Sequence, residues 1–500
     1  MQLYSAKESA KIDRLAISID KVPAFELMQR AAESAFNLLN GEWPEEKKIT
    51  VFCGKGNNAG DGYLLASIAK ERGFEVVVIT PKNQKNLTTL CKRARSVAKD
   101  NKIKICSFKN INNLNINNSV FVDALLGTGL KNQLRKEYME IVQYINSKGQ
   151  KIMALDVPTG ICSDTGKELG DSIKADITVS FIAPKKGCFT SSGRASSGLL
   201  IQKDLGIKRS TRNLVKSNCA TLDTHKLLNK ISNRNPNSHK GSYGHVMIIG
   251  GDSGYGGAGL LASKAAAFSG SGLVTLATRK EHISSSLISC PEVMVKGVES
   301  GQDLDELISS PDTMVVGPGL GKSAWSQQLL QRVFLEAKRR KFNLVLDADG
   351  LNLVSSLNLR LPSKNAVITP HPGEASRLLG KSISFIEEDR FRAAKLLQNK
   401  YQSVVVLKGP GTLICFEQAG KQKTMVCEYG NPGMAKGGSG DVLAGIIGSL
   451  LAQGLNTRDS SLLGVDLHSI SADLSSLEKG EAGMMPSDII RNVPILLKQL

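Results

Sequence analysis

Twice along the chain, short runs of β-branched and aliphatic residues end in a glycine loop or an aspartate and alternate with helical stretches. This alternation restricts the fold more than any other feature. In the first half Ile49–Cys53, Phe74–Thr80, Ile103–Phe108, Ser119–Leu125, Lys151–Asp156 and Asp176–Ala183 read as strands. Tyr63–Arg72, Leu87–Lys99 and residues 134–147 read as helices between them, with Gly54–Gly62 as a loop. Strands separated by helices cannot pair as hairpins, so they form a parallel sheet covered on both faces. Helical spacing also runs through residues 8–39, broken at Pro23, with Ala24–Leu39 as its second helix. The unit ends near residue 205, and the polar stretch 206–240 holds the linker, which divides the chain into 1–210 and 211–500.

The second series has strands at His245–Ile249, Leu273–Ala277, Val293–Val298, Thr313–Val316, Leu344–Asp347, Ala366–Thr369 and Ser403–Lys408, then a hairpin of Leu413–Phe416 and Lys423–Glu428. The chain is therefore α/β, with two doubly wound domains. The two units share a style but no motif, so they are not repeats. Asn110–Asn118 is low in complexity and reads as a surface loop.

Five hundred residues give each domain ample chain for a core, and 41% hydrophobic with 22% charged content is that of an ordinary globular protein. Met1–Glu8 has no apolar signal region and no run of 18 apolar residues occurs, which predicts a cytoplasmic protein with no membrane partner. The nine cysteines are scattered without a Cys-x-x-Cys, which fits free thiols and argues against zinc. A net charge of +18 invites a nucleic-acid reading, but the basic residues are spread out and only 5% of residues are aromatic. The charge instead suits anionic small molecules.

Cys53–Gly62 follows a strand and opens a helix, and Gly54, Gly56 and Ala59 satisfy a dinucleotide fingerprint. The next strand ends Ile79-Thr80-Pro81 without the acid that would hold a ribose, which disfavours a conventional NAD site. Instead Asn57, Asn58 and Asp61 crowd the loop, while Asp123 precedes the glycine loop Gly127–Leu130 and Asp156 precedes the turn to Gly160. Each aspartate alone could be a turn former. Converging on the carboxyl edge of one sheet with Asn58, they suggest an oxygen-lined cation site beside a ligand pocket.

In the second unit, Gly437, Gly438 and Gly440 make a tight turn ahead of the apolar helix Val442–Ala452. A helix N-terminus offers unpaired amides and a positive dipole end to phosphate or a developing anion. Asp441 beside it either caps the helix or takes a proton from a hydroxyl as a phosphoryl group arrives. Gly250–Gly251, Gly317–Gly321, Asp347–Asn352, Thr369–Glu374 and Lys408–Thr412 close further strands with glycine or polar groups. His371, between two prolines, is excluded from helix and sheet interiors, and an exposed loop histidine is its plain alternative. No Walker loop is present.

Residues 53–62, 122–130 and 155–160 resemble the N-terminal domain of the bifunctional NAD(P)H-hydrate repair enzymes. Residues 239–260, 317–321, 347–352, 369–374, 408–412 and 431–445 resemble their ribokinase-like C-terminal domain, in the family's order. Phe25–Ala32 fits the family's N-terminal helix as well. The resemblance implies a Rossmann-like first domain that epimerises the R and S hydrates of NADH and NADPH. It implies a second domain that phosphorylates the S hydrate at the expense of ADP, giving NAD(P)H, AMP and phosphate.

Carried over motif by motif, Asn57, Asn58, Ala59, Gly60 and Asp61 would hold the hydrate, with Gly127, Thr128, Gly129, Leu130, Lys131, Asn132 and Gln133 opposite. Asp156 would bind it and act in catalysis, and Asn58, Asp123 and Thr159 would bind potassium. In the second domain Ala258, Gly319, His371 and the catalytic Asp441 would face the hydrate. Lys408, Gly409, Pro410, Gly411, Thr412 and Gly440 would face the adenine nucleotide; whether magnesium accompanies it is left open. A homo-oligomer is expected. Departures are small: Ala59 stands where a third glycine is usual, Ser271 replaces a common alanine, and residues after Leu130 follow no tight motif. The alternative within the fold is a small-molecule kinase fused to a dinucleotide-binding module.

Overall fold

Between Lys48 and Lys203 the chain lays down seven parallel strands whose order, not their number, decides where a ligand can enter. The structure is a computed structural model, and it describes residues 1–231 and 233–498. The chain folds as two units, one over Gln2–Ala220 and another from Thr221 onward that also takes in Met1.

In the first unit β1 (Gln2–Leu3) pairs antiparallel with β9 (Cys219–Thr221), Gln2 opposite Ala220. Helices α1 (Ala6–Ser18) and α2 (Ala24–Glu42) precede the sheet. Ser5 starts α1 with a capping box, its hydroxyl accepting from the Glu8 amide while Glu8 Oε2 accepts from the Ser5 amide at 2.7 Å. The sheet strands are β2 (Lys48–Cys53), β3 (Glu75–Thr80), β4 (Lys104–Ser107), β5 (Val120–Ala124), β6 (Ile152–Leu155), β7 (Ile177–Phe181) and β8 (Leu199–Lys203). They run in the order β4-β3-β2-β5-β6-β7-β8, with α3 (Asn57–Glu71), α4 (Thr89–Asp100) and α5 (Lys136–Ser147) among the connections. The chain moves outward from β2 to β4, then returns to the other side of β2, so connections diverge between β2 and β5 and open a crevice at their carboxyl ends.

Three local readings change. Helix α3 begins at Asn57 rather than Tyr63, because the first-turn residues Asn58, Ala59 and Gly60 are buried by packing and the loop shrinks to three residues before it. Glycines make that packing close: a Cβ on Gly62 would lie 2.5 Å from the Ala124 Cβ, and one on Gly60 2.6 Å from the Met28 sulfur. Asn110–Asn118 is not wholly surface loop, since Phe108–Asn113 forms a 3₁₀ turn and Ile111 and Ile116 are buried. The edge strand β8 escaped the pattern because its residues Gln202 and Lys203 are polar and its exposure is that of a sheet margin.

The second unit contains β10 (His245–Ile249), β11 (Leu273–Thr278), β12 (Met294–Gly297), β13 (Thr313–Val316), β14 (Asn343–Leu346), β15 (Ala366–Ile368), β16 (Val404–Leu407), β17 (Leu413–Gln418) and β18 (Lys421–Val426). Their order is β18-β17-β16-β15-β14-β13-β10-β11-β12. Strands β10 to β16 pair in parallel and β16-β17-β18 in antiparallel fashion. The switch point here lies between β10 and β13. Among the described residues no helix is long and apolar enough to cross a membrane. All nine cysteines are free thiols.

Helix Ser439–Ala452 packs against helix Gly256–Phe268, and Gly445 lets them come close: a Cβ there would sit 2.1 Å from the Ala262 carbonyl oxygen. Gly445→Ala is expected to overpack this contact by about 1–3 kcal/mol and lower the melting temperature of the second unit by roughly 2–6 °C. Calorimetry of the whole chain checks this, the first unit's transition being unmoved.

Candidate active sites

At the first switch point the structure encloses a cavity of about 890 Å³. Asn57, Asn58 and Asp61 from the start of α3 line it, as do all of Gly127–Gln133 and Asp156. Ala59 and Gly60, expected with them, are turned into the protein, Gly60 against Met28. Gly54 makes the approach of β2 and β5 possible, since a Cβ on it would meet the Leu125 carbonyl oxygen at 1.8 Å.

Asp123 and Thr159 lie beneath the cavity floor, both buried. Asp123 Oδ1 accepts from the Thr159 hydroxyl at 2.7 Å and the Leu125 amide at 3.1 Å, and Oδ2 accepts from the Thr159 amide at 2.7 Å. The Thr159 oxygen also accepts from the Leu126 amide at 3.0 Å. Burial pushes the Asp123 carboxyl up to about 6, against the pull of those donors. Asn58 completes the neighbourhood: a Cβ on Gly127 would touch its side chain at 3.4 Å, and neither end of its buried amide has a hydrogen-bond partner. An orphaned amide costs stability unless something meets it. A buried, pressured carboxylate beside a free amide oxygen and a threonine hydroxyl is a donor set that fits a hard monovalent cation.

Asp156 sits just after β6 in the left-handed region, φ 67°, which aims its side chain back over the sheet edge. Its Oδ1 pairs with the Lys185 ammonium, a lysine only 2% exposed that also donates to the Phe181 carbonyl at 3.1 Å. The sequence reading missed Lys185; its only signal was a place just beyond the apolar run Ile177–Phe181.

At the second switch point the backbone ties two loops together. The Gly251 amide donates to the Pro318 carbonyl at 3.0 Å and the Asp252 amide to the Gly319 carbonyl at 2.7 Å, joining the loops after β10 and β13. A Cβ on Gly319, φ 57°, would lie 3.0 Å from that of Ala258, so these two expected hydrate contacts do come together.

Across the carboxyl edge stands an ionic cluster. Lys408 Nζ lies 2.7 Å from Asp347 Oδ1 and 3.8 Å from Glu374 Oε2. Burial works against the Lys408 charge, but Asp347 and Glu374 more than offset it and its pKa is raised. The same ammonium would be 3.2 Å from a Cβ on Gly440, so it rests on the first turn of helix Ser439–Ala452. Gly438, φ 97°, is the N-cap and contributes no side chain, and the first ladder bond runs from the Val442 amide to the Gly438 carbonyl at 3.1 Å. Of the amides ahead of it, that of Ser439 donates to the Lys436 carbonyl at 3.3 Å, and those of Gly440 and Asp441 are helix-end donors near a lysine, which suits an anion.

Asp441 is therefore in the first turn, not at the cap. Burial and then the Asp347 charge push its carboxyl up to about 7, with Lys408 pulling down and Glu374 pushing up. Such a group exchanges protons near neutral pH, as a general base must. His371 is neither a free loop residue nor mid-helix: it caps helix Pro372–Leu379, with Nδ1 accepting from the Gly373 amide at 3.0 Å and Nε2 3.2 Å from Glu374 Oε1. The spacing His371-Pro-Gly-Glu374 is that of a capping box, which the sequence could have revealed.

Arg390 went unnoticed in the sequence as one basic residue of a mixed helix. It is fully buried and donates to the carbonyls of Leu407 at 3.1 Å, Lys408 at 2.9 Å and Pro410 at 2.6 Å, shaping the loop Lys408–Thr412 from below.

Residues 246–495 match the family described as NAD(P)H-hydrate dehydratase, and residues 24–187 the family described as YjeF-related protein N-terminus. The bifunctional NAD(P)H-hydrate repair enzyme Nnr of Coxiella burnetii is 43% identical over 497 residues, covering 99% of each chain. That of Escherichia coli is 38% identical, over 97% of this chain and 92% of its own. Among solved structures, a ribokinase-like superfamily protein of Enterococcus faecalis is similar with TM-score 0.52 and 34% identity, over 57% of this chain and 97% of that one. An ADP/ATP-dependent NAD(P)H-hydrate dehydratase of Bacillus subtilis, crystallised with ATP and Mg²⁺, is similar with TM-score 0.50 and 26% identity, over 57% and 99%.

The raised Asp441 pKa has a stability signature. Between about pH 4 and pH 7 the folded chain keeps a proton that the unfolded chain has released, so this group's effect on stability becomes unfavourable as pH rises through that window. Asp441→Asn removes the effect. The variant is expected to melt roughly 2–6 °C above the parent at pH 8 and level with it at pH 4. Equal melting at both pH values would show that the carboxyl is not under pressure.

Proposed function

The chain belongs to the bifunctional NAD(P)H-hydrate repair enzymes, and from that premise we propose how its two sites divide the work. The first unit interconverts the R and S hydrates of NADH and NADPH in the cavity lined by Asn57, Asn58, Asp61, Gly127–Gln133 and Asp156. The second unit dehydrates the S hydrate, with ADP as phosphoryl donor. The observation that carries this reading is Asp441, a half-buried carboxyl under electrostatic pressure within the first turn of a helix whose amides and Lys408 form an anion site.

Hydroxide is a poor leaving group and phosphate a good one. In the proposed sequence the β-phosphoryl group of ADP is held by the helix-end amides and Lys408. Asp441 takes the proton from the ring hydroxyl as that oxygen attacks phosphorus, and AMP leaves. The ring nitrogen's lone pair then expels phosphate, and loss of a proton from the neighbouring carbon restores the double bond of NAD(P)H. Lys408, Gly409, Pro410, Gly411, Thr412 and Gly440 hold the nucleotide in this reading. Ala258, Gly319 and His371 would face the hydrate. Magnesium would travel with the nucleotide phosphates. Asn58, Asp123 and Thr159 would hold potassium in the first unit, where a bound cation supplies a fixed positive charge beside the hydrate and meets the orphaned Asn58 amide.

The decisive experiment mixes both hydrates with the chain and ADP and follows the absorbance of regenerated NADH. Both epimers are expected to disappear, with AMP and free phosphate as co-products; a stable phosphorylated product would point to a plain kinase instead. Asp441→Asn is expected to lose about 10²–10⁴-fold in dehydration while interconverting the epimers normally. A rate within a few-fold of the parent takes Asp441 out of the chemistry.

The cation can be tested separately. Exchanging potassium for a bulky organic cation is expected to slow epimerisation and leave dehydration unaltered. Asn58→Ala is expected to be slow in both salts. An epimerase indifferent to the salt would leave the Asn58 amide without an assigned partner.

A further inference from the structure

One acid in the first unit's cavity belongs to none of the strand-edge motifs. Asp13 lies on α1, outside the family-matched stretch 24–187. Ser9, Asp13 and Ile17 fall at successive four-residue steps, so they share one stripe of the helix, and all three line the cavity. The helix is held at both ends: the Ala6 amide donates to Asp164 Oδ1 at 2.7 Å, and Asp20 Oδ1 accepts from the Thr211 hydroxyl at 2.8 Å. A solvated helical aspartate would sit near its ordinary value. Asp13 is instead pushed up to about 6 by burial, with the Lys185 charge pulling down and the Asp156 charge pushing up, so the three groups are within electrostatic reach of one another. Asp61 is pushed well above the carboxylate range by burial, then by Asp156 and Asp13. One lysine thus stands among three carboxyl groups around a single cavity.

Paired acids whose surroundings drive them to different protonation states are how one site supplies both an acid and a base. Inverting a hydrated ring carbon needs both. Resting on the reading of this unit as a hydrate epimerase, we propose that Asp13 is a catalytic residue that gives its proton to the departing hydroxyl while the Asp156 carboxylate takes one from the entering water.

The ring nitrogen's lone pair forms a C=N⁺ bond as the C–O bond breaks, and the hydroxyl leaves as water with the Asp13 proton. A water molecule then adds to the planar carbon from its other face. A new C–O bond forms, the π pair returns to nitrogen, and the surplus proton goes to Asp156. The proton returns from Asp156 to Asp13 through cavity water, so no net atom or charge is consumed. Lys185 holds Asp156 in place by their ion pair. The other charged groups at the cavity are Lys55, Lys131 and Arg135, and the short helix Arg209–Asn213 packed against α1 brings Arg209 and Arg212.

The test uses the whole chain with separated R and S hydrates. Asp13→Asn keeps size and polarity, and is expected to lower kcat for epimerisation by about 10²–10⁴-fold with KM within about threefold. ADP-dependent dehydration by the same preparation and the melting profile should be unchanged. In the parent, kcat should fall as pH rises past the ionisation of Asp13; Asp13→Glu should recover part of the rate and shift that limb, which a structural role would not do. Epimerisation by Asp13→Asn within threefold of the parent overturns the proposal. A loss matched by a lower melting temperature or a raised KM does so too. A parent chain that interconverts no hydrate at all overturns the epimerase reading itself, and this inference with it.

Discussion

The divergence of neighbouring parallel strands at a switch point is the constraint on which both sites depend. Side chains at the carboxyl ends of strands cannot reach one another through a uniformly wound sheet, because each crossover helix covers the edge it leaves. Where β2 and β5 part, and again where β10 and β13 part, the edge is uncovered and loops distant in sequence meet. Glycine makes the meeting close enough: the Gly54 loop passes under the Leu125 carbonyl, and the Gly250 and Gly317 loops approach Pro318 and Asp347 at distances no Cβ would allow.

Given those crevices, charge decides which chemistry each can support. The second unit gathers Asp347, Glu374 and Asp441 round one lysine, and Lys408 is closest to Asp347. An arriving nucleotide brings more negative charge, which must compete with Asp347 and Glu374 for that ammonium and must further disfavour ionised Asp441. Positive charge near the phosphates, as Lys408 already supplies, is what favours the ionised Asp441 that can accept a proton. The first unit repeats the theme with a different balance, one buried lysine among acids around its cavity.

Much of this was legible in the chain because it is local. Alternating strands and helices, glycine loops after strands and aspartates at strand ends are all set within a few residues, and they led to both crevices and to Asp156, Asp441 and Lys408. What was not legible depends on partners brought in from elsewhere. Lys185 differs from its neighbour Lys186 only in being folded under the sheet edge onto Asp156. Asp13 is one acid of an amphipathic helix until α1 is laid along the cavity. Asn57 and Asn58 have turn-forming side chains, yet packing of α3 between α2 and the sheet, which buries Asn58 and leaves Asn57 exposed, draws both into the helix over their propensity.

The buried Arg390 has a kinetic meaning. By taking the carbonyls of Leu407, Lys408 and Pro410 it turns those peptide planes inward before any ligand is present. A loop already locked in this way has little disorder left to lose on binding, so encounter need not wait for a rare loop shape. With the nucleotide placed on this loop as proposed above, discrimination among nucleotides should appear in how long each remains bound rather than in how quickly it arrives.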